Sequence, residues 1–187
     1  MEENTTSRTD INQLGEFKLI DRITQDFTIT QDSTVMGVGD DAAIIQPSSQ
    51  QILVTTDMLT EGIHFDLAYV PLEHLGYKAV AVNVSDIAAM NGIPTQITVN
   101  LGLSNRFSVE AIEALYRGIR YACENYHVDL VGGDTTASAS GLIISVTALG
   151  QAPTELITKR SGTHINDIVC VTGDLGGAYM GLQVLAR

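Results

Sequence analysis

The chain has 187 residues, 44% of them hydrophobic, enough to bury a substantial core in one domain or in one domain plus part of another. Ten lysines and arginines against 22 aspartates and glutamates give a formal net charge of -12, which argues against nonspecific binding to DNA, RNA or an anionic membrane. A phosphate ligand would need something other than side-chain cations to neutralise it.

Residues 1–10 are polar and acidic, with no basic n-region and no apolar h-region, and residues 1–12 read as a disordered lead-in. No apolar run approaches membrane-spanning length, so the expectation is a cytoplasmic protein. From Leu14 to Phe27, Leu14, Phe17, Ile20, Ile23 and Phe27 keep a helical period and predict an amphipathic helix. Gly37-Val38-Gly39-Asp40-Asp41 leads into Ala42 to Ile45, and residues 51–57 follow across a Pro-Ser-Ser turn; the two short runs predict a β-hairpin. Pro71 to about Met90 reads as a helix in which Leu72, Leu75, Ala79, Val82, Asp86 and Ala89 share a face, placing one carboxylate where apolar residues should be buried. Such a carboxylate must be protonated, paired or set against a cation.

Asn91-Gly92 ends that helix, both residues tolerating left-handed backbone. Ile97, Val99, Leu101 and Leu103 alternate along a half-buried strand from Pro94 to Leu103. Ser108 is a predicted N-cap, with Phe107 and Ile112 at hydrophobic-staple positions. The helix it starts turns Val109, Ile112, Leu115, Tyr116, Ile119, Cys123 and Tyr126 inward and pairs Glu113 with Arg117 outside. Asp129 to Asp134 and Leu142 to Gly150 are two further strands. The order predicts an α+β domain, a mixed sheet with helices on one side, over residues 13–150. Over 151–187, Ile168 to Val171 reads as another strand before a glycine turn and a helix; these cannot enclose a core, so the expectation is the beginning of an incomplete second domain. Cys123 and Cys170 lack zinc or redox spacing and are expected as buried thiols in a reducing compartment.

Asp40-Asp41, Asp57, Asp86 and Asp134 each stand at the edge of an apolar run with Gly, Ser or Thr beside them. Small neighbours let a ligand approach the backbone, and carboxylate and hydroxyl oxygens suit Mg²⁺ better than zinc. Taken singly, each acid also serves as a turn or cap residue. His64 is in a glycine-bearing loop beyond an acid-ended strand, whereas His74, His127 and His164 are simplest as surface or capping residues. The common nucleotide-binding glycine loops and the G-x-S-x-G elbow do not occur.

The series Gly37 to Ala43, Thr55-Thr56-Asp57, Gly62 to Phe65, Val82 to Met90, Gly132-Gly133-Asp134-Thr135 and Arg160-Ser161-Gly162 resembles the thiamine-monophosphate kinases. These belong to a superfamily with aminoimidazole ribonucleotide synthetase, selenophosphate synthetase and a hydrogenase maturation factor. The resemblance implies ATP-dependent phosphorylation of thiamine monophosphate to thiamine diphosphate and a homodimer formed through the N-terminal domain. It implies Mg²⁺ ions on Asp41, Thr55, Thr56, Asp57, Asp86 and Asp134, the thiamine phosphate on His64, and ATP on Tyr116, Gly133, Asp134 and Arg160. A phosphate acceptor is already ionised near neutral pH, so the implied chemistry needs alignment and charge neutralisation rather than a strong base. Asn91 and Asn166 stand where the family usually has glycine, and both are expected to keep left-handed turns. The alternatives are another ATP-using enzyme of the superfamily or a truncated, non-catalytic nucleotide-binding paralogue.

Overall fold

Residues 9–46 and 49–185 are described by the structure, a computed structural model. The alternation read from the sequence becomes strand β4 (Ile93–Leu103), whose Ile97, Val99, Leu101 and Leu103 are all buried. Beside β4 lie β6 (Leu142–Ala152) on one flank and β5 (Asp129–Ala137) on the other, and β3 (Gln51–Thr60) pairs with the far side of β6. The order is β3-β6-β4-β5, with β4 and β5 parallel and the other neighbours antiparallel. Helix α3 (Leu72–Ala89) lies against β3, β6 and β4, and α4 (Val109–Tyr126) lies against α3. Leu142, Ile144, Val146 and Ala148 of β6 are buried under the helices, while Ile52, Val54 and Met58 of β3 are exposed on the opposite face. The mixed sheet covered by helices on one face is the α+β architecture the pattern predicts.

The two long helices are in backbone contact. A Cβ on Gly76 would fall 2.0 Å from the Leu115 carbonyl oxygen, and one on Gly118 would fall 1.8 Å from that of Glu73, so the glycines are reciprocal and neither position has room for a methyl group. Ser108 caps α4 as expected, accepting from Ala111 N at 3.3 Å, with Phe107 and Ile112 buried as the staple. His127 closes α4 in the left-handed region, φ 54°, and Asn91 and Asn166 take φ 58° and 82°, as their substitution for glycine predicts.

Several expectations are corrected. The first helix breaks at Gly15 into α1 (Ile11–Leu14) and α2 (Glu16–Thr24), and α2 buries Leu19 and Ile23 while Phe17 is 84% exposed. Residues 9–12 are attached rather than disordered: Thr9 N donates to both Glu110 carboxylate oxygens at 3.1 Å, Val109 N donates to Thr9 O, and residues 1–8 lie outside the described residues. Those bonds from Thr9 hold the Glu110 carboxyl down to about 2.

The expected hairpin is absent, because β2 (Ile44–Ile45) pairs with β1 (Thr34–Met36), which the sequence reading missed, and β3 pairs with β6; Pro47 and Ser48 lie outside the described residues. The buried face of α3 carries Leu75, Gly76, Ala79, Val80, Asn83, Val84 and Ile87, and Asp86 is exposed on its flank. Glu113 pairs with Arg22 and Arg117 with Glu73, each ion pair joining two helices rather than stapling one. Residues 168–171 form no strand, for which no partner exists among the described residues; Ile168 and Val169 are exposed ahead of α5 (Gly177–Leu185). Cys123 is buried, but Cys170 is exposed. No helix among the described residues is long and apolar enough to cross a membrane.

Asp129, at the start of β5, is 1% exposed and accepts from Thr30 N at 2.8 Å, Thr30 Oγ1 at 2.9 Å and Gln31 N at 3.1 Å. This buried carboxylate fastens the segment leading into β1 to the sheet.

Candidate functional site

Strand β5 forms one edge of the sheet, and its pairing with β4 slips by one residue at Val131, since Ile97 faces Leu130 but Thr98 faces Gly132. A bulge of this kind re-aims the residues that follow. Gly133 then passes so close to β4 that a Cβ would fall 1.9 Å from Val99 O, and Asp134 comes out exposed at the edge, its Oδ1 accepting only the adjacent Thr135 N–H at 2.8 Å among the bonds described. The loop after β1 brings up Asp40 and Asp41, joined by a 2.8 Å bond from Asp41 N to Asp40 Oδ1.

These residues border a cavity of about 590 Å³ together with Tyr116 of α4 and one side of α2. Tyr116 is buried against Phe27, edge to face with ring centroids 6.3 Å apart, and burial pushes its phenol well above the usual range, so it stays a neutral hydroxyl. Asp41, Tyr116, Gly133 and Asp134, four of the residues singled out from the sequence, therefore share one cavity of a size that suits a small-molecule ligand.

A second group stands at the other edge. Strand alternation turns Thr55 and Asp57 of β3 toward α3 and Thr56 away from it. Thr55 Oγ1 donates to Asp86 Oδ2 at 2.9 Å, and the Asp57 N–H donates to Asn83 Oδ1 at 2.9 Å. Asn83, fully buried, is fixed in turn by a 3.0 Å bond from its Nδ2 to Ala79 O. Thr56 Oγ1 donates to Val146 O at 3.0 Å and accepts from Thr147 Oγ1 at 3.2 Å on the open face. His64 accepts the Thr60 N–H on Nδ1 at 3.0 Å, which leaves Nε2 as the outward nitrogen, and Lys78 Nζ holds the His64 carbonyl at 3.0 Å. Arg160 is exposed beyond the short 3-10 turn Thr154–Leu156 and does not border the cavity.

The sheet order separates the two groups by three strand spacings, about 14 Å. Among the described residues of a single copy, no three His, Cys, Asp or Glu side chains are grouped closely enough to hold a metal ion. The donor chemistry nevertheless fits Mg²⁺, which takes one or two carboxylates and completes its shell with waters and phosphate oxygens; Asp86 with Thr55 and Asp57 offers such a set on one edge, and Asp41 with Asp134 on the other. Sequence reasoning missed Asn83, whose signal was a lone amide in an apolar helical row, and the part of α2 that walls the cavity.

The profile of the AIR synthase related protein, N-terminal domain, matches residues 39–152. Thiamine-monophosphate kinase of Bacillus subtilis (strain 168) is 42% identical over 173 residues, 92% of this chain and 53% of the relative. The crystal structure of thiamine-monophosphate kinase from Stenotrophomonas maltophilia K279a superposes with a TM-score of 0.80 at 38% identity, covering 92% of this chain and 53% of that one. AaThiL complexed with AMPPCP and TMP superposes with a TM-score of 0.70 at 37% identity, covering 98% of this chain and 55% of that one. The chain spans about half the length of the curated relatives it matches.

Proposed function

Because this chain belongs to the AIR synthase-related proteins, with their N-terminal domain at residues 39–152, we propose that it is the nucleotide-binding part of an ATP- and Mg²⁺-dependent thiamine-monophosphate kinase. The carrying observation is the single cavity that unites Asp41, Gly133, Asp134 and Tyr116. Its bulged, glycine-containing strand edge gives phosphates access to backbone, and its carboxylates supply hard oxygen donors. Support for the substrates comes from the relatives that bear the kinase name and from the neighbour complexed with AMPPCP and TMP.

In the proposed reaction an oxygen of the thiamine monophosphate phosphate bonds to the γ-phosphorus of ATP as the bond from that phosphorus to the β–γ bridging oxygen breaks, giving thiamine diphosphate and ADP. When bound, Mg²⁺ neutralises the phosphate charge that this acidic chain cannot. The chain's own part is positional. Asp41, Asp57, Asp86 and Asp134 are the proposed ion ligands, with Thr55 and Thr56 as further oxygen donors. His64 presents Nε2 to the acceptor phosphate, Tyr116 and Gly133 face ATP in the cavity, and Arg160, outside the cavity of this copy, is the further proposed ATP contact. Residues 13–150 are read as the nucleotide-binding and dimerising domain and 151–187 as the start of a second one, a division supported by the exposed apolar side chains of Ile168, Val169 and Leu175.

A homodimer follows from the same reading. The acids stand on opposite edges of the sheet, and among the described residues of one copy no three of them are grouped closely enough to share an ion. The open face beside β3, with exposed Ile52, Val54 and Met58, is the apolar surface a second copy would cover, setting the β3 edge of one copy beside the β5 edge of the other.

The test is thiamine diphosphate formation by the full-length protein with ATP and Mg²⁺. Asp86→Asn and Asp134→Asn are each expected to lower the rate about 100-fold. Mixing and reassembling the two inactive variants should restore activity to about a quarter of the wild-type value, since half the dimers are mixed and each mixed dimer regains one intact site. Normal turnover by either variant would sink the ion-binding role, and failure to complement would sink the shared site.

A further inference from the structure

Resting on the nucleotide reading, we propose that α2 is the wall that receives the purine base of ATP, with Phe17 as the residue that stacks on it. The cavity has two chemically different sides. On one, Gly132, Gly133, Asp134, Asp40 and Asp41 present backbone and ion-binding oxygens. On the other, α2 contributes Phe17 and Ile20, and Val38 of the loop adds to the same apolar strip. ATP has the matching asymmetry: its triphosphate requires hydration, cations or N–H donors, and its base requires a flat apolar contact with a few hydrogen-bond partners. Glu16 and Asp21 of α2 also border the cavity, and a carboxylate accepts from an amino-substituted base but has nothing to offer an ionised phosphate.

Phe17 is the anomaly that singles out this wall. An amphipathic helix ordinarily buries its aromatic side chain, yet α2 turns Leu19 and Ile23 into the core and leaves its one aromatic residue 84% exposed at the cavity. The helix is held by those two buried side chains and by the ion pair of Arg22 with Glu113, none of which involves Phe17. Truncating Phe17 therefore removes a cavity wall without removing a core contact. Gly15, at φ 80°, precedes the helix and separates it from α1.

The experiment uses this chain, which contains no tryptophan, so that Phe17→Trp introduces a single indole reporter at the proposed contact. A nonhydrolysable ATP analogue and inorganic tripolyphosphate are each titrated with Mg²⁺ into wild type, Phe17→Ala and Phe17→Trp. Phe17→Ala should weaken the ATP analogue about tenfold and leave tripolyphosphate unchanged. Phe17→Trp should keep wild-type affinity, and its emission should be quenched by the analogue but not by tripolyphosphate. Wild-type affinity of Phe17→Ala for the analogue, or a parallel loss for tripolyphosphate, overturns the stacking role and leaves the nucleotide site standing. Absence of analogue binding by the wild-type chain overturns both.

Discussion

Asp129 and Asp134 lie on one strand, five residues apart, and do opposite work. Asp129 is buried and fully engaged, its oxygens taken by three donors from Thr30 and Gln31. Asp134 is exposed at a bulged edge, where the one bond described for it comes from the neighbouring backbone. Partners, rather than residue type, divide the two: a buried carboxylate with both oxygens engaged is a fastening, and an exposed one beside a cavity is free to meet a ligand. The same division separates Asn83, buried and spent on the Asp57 backbone, from Asp86, exposed three residues later with one described bond, from Thr55.

The strongest way to break this contrast is Asp129→Ala. It strips two part-buried backbone N–H groups and a hydroxyl of their acceptor and should destabilise the fold by about 2 kcal/mol, seen as a lower midpoint in urea unfolding. A midpoint equal to wild type would mean the segment before β1 is held by something else. Asp134→Asn should shift the same midpoint by less than about 0.5 kcal/mol, because no buried partner depends on its charge. A large loss there would make Asp134 structural and collapse the distinction.

The smallest effect sharpens the contrast through Cys123. Burial first, and then the negative charges of Asp129 and Glu124, push this thiol up to about 12 from an ordinary 9.0. A raised pKa of this kind means that the folded state holds the proton longer, so this contribution to stability is whole below about pH 9 and is lost as pH climbs toward 12. Asp129→Asn should lower the Cys123 pKa only slightly, since burial persists, as read from the thiolate absorbance. Cys170, exposed, can be blocked beforehand with an alkylating reagent. An unchanged titration would remove Asp129 from the thiol's surroundings.

Much of the scaffold was legible. Strict alternation marks β4, and a cap, a staple and a 3.6-residue period mark α4, because in both the apolar and polar positions differ sharply. Helix α3 was located but turned the wrong way: Ala79, Val80, Ala81, Val82 and Val84 leave the periodicity almost no polar face to orient by, and packing put Asn83 rather than Asp86 inward. The hairpin was misread because two short apolar runs say nothing of a third, β1, that takes one of them as partner. The acids were found one by one from their small neighbours. Which of them share a cavity depends on the order β3-β6-β4-β5, and strand order is not written in any local period.

The reciprocal glycines of α3 and α4 have a mechanical consequence. With Gly76 seated on the Leu115–Ile119 backbone and Gly118 on Glu73, the helices interlock at two points and lack the slack that intervening side chains would give. They form one beam, with Tyr116 on the cavity side of α4 and Asp86 near the far end of α3. A side chain at either glycine would have to push the helices apart, so the close seating that fixes Tyr116 of α4 relative to Asp86 of α3 depends on two hydrogen atoms.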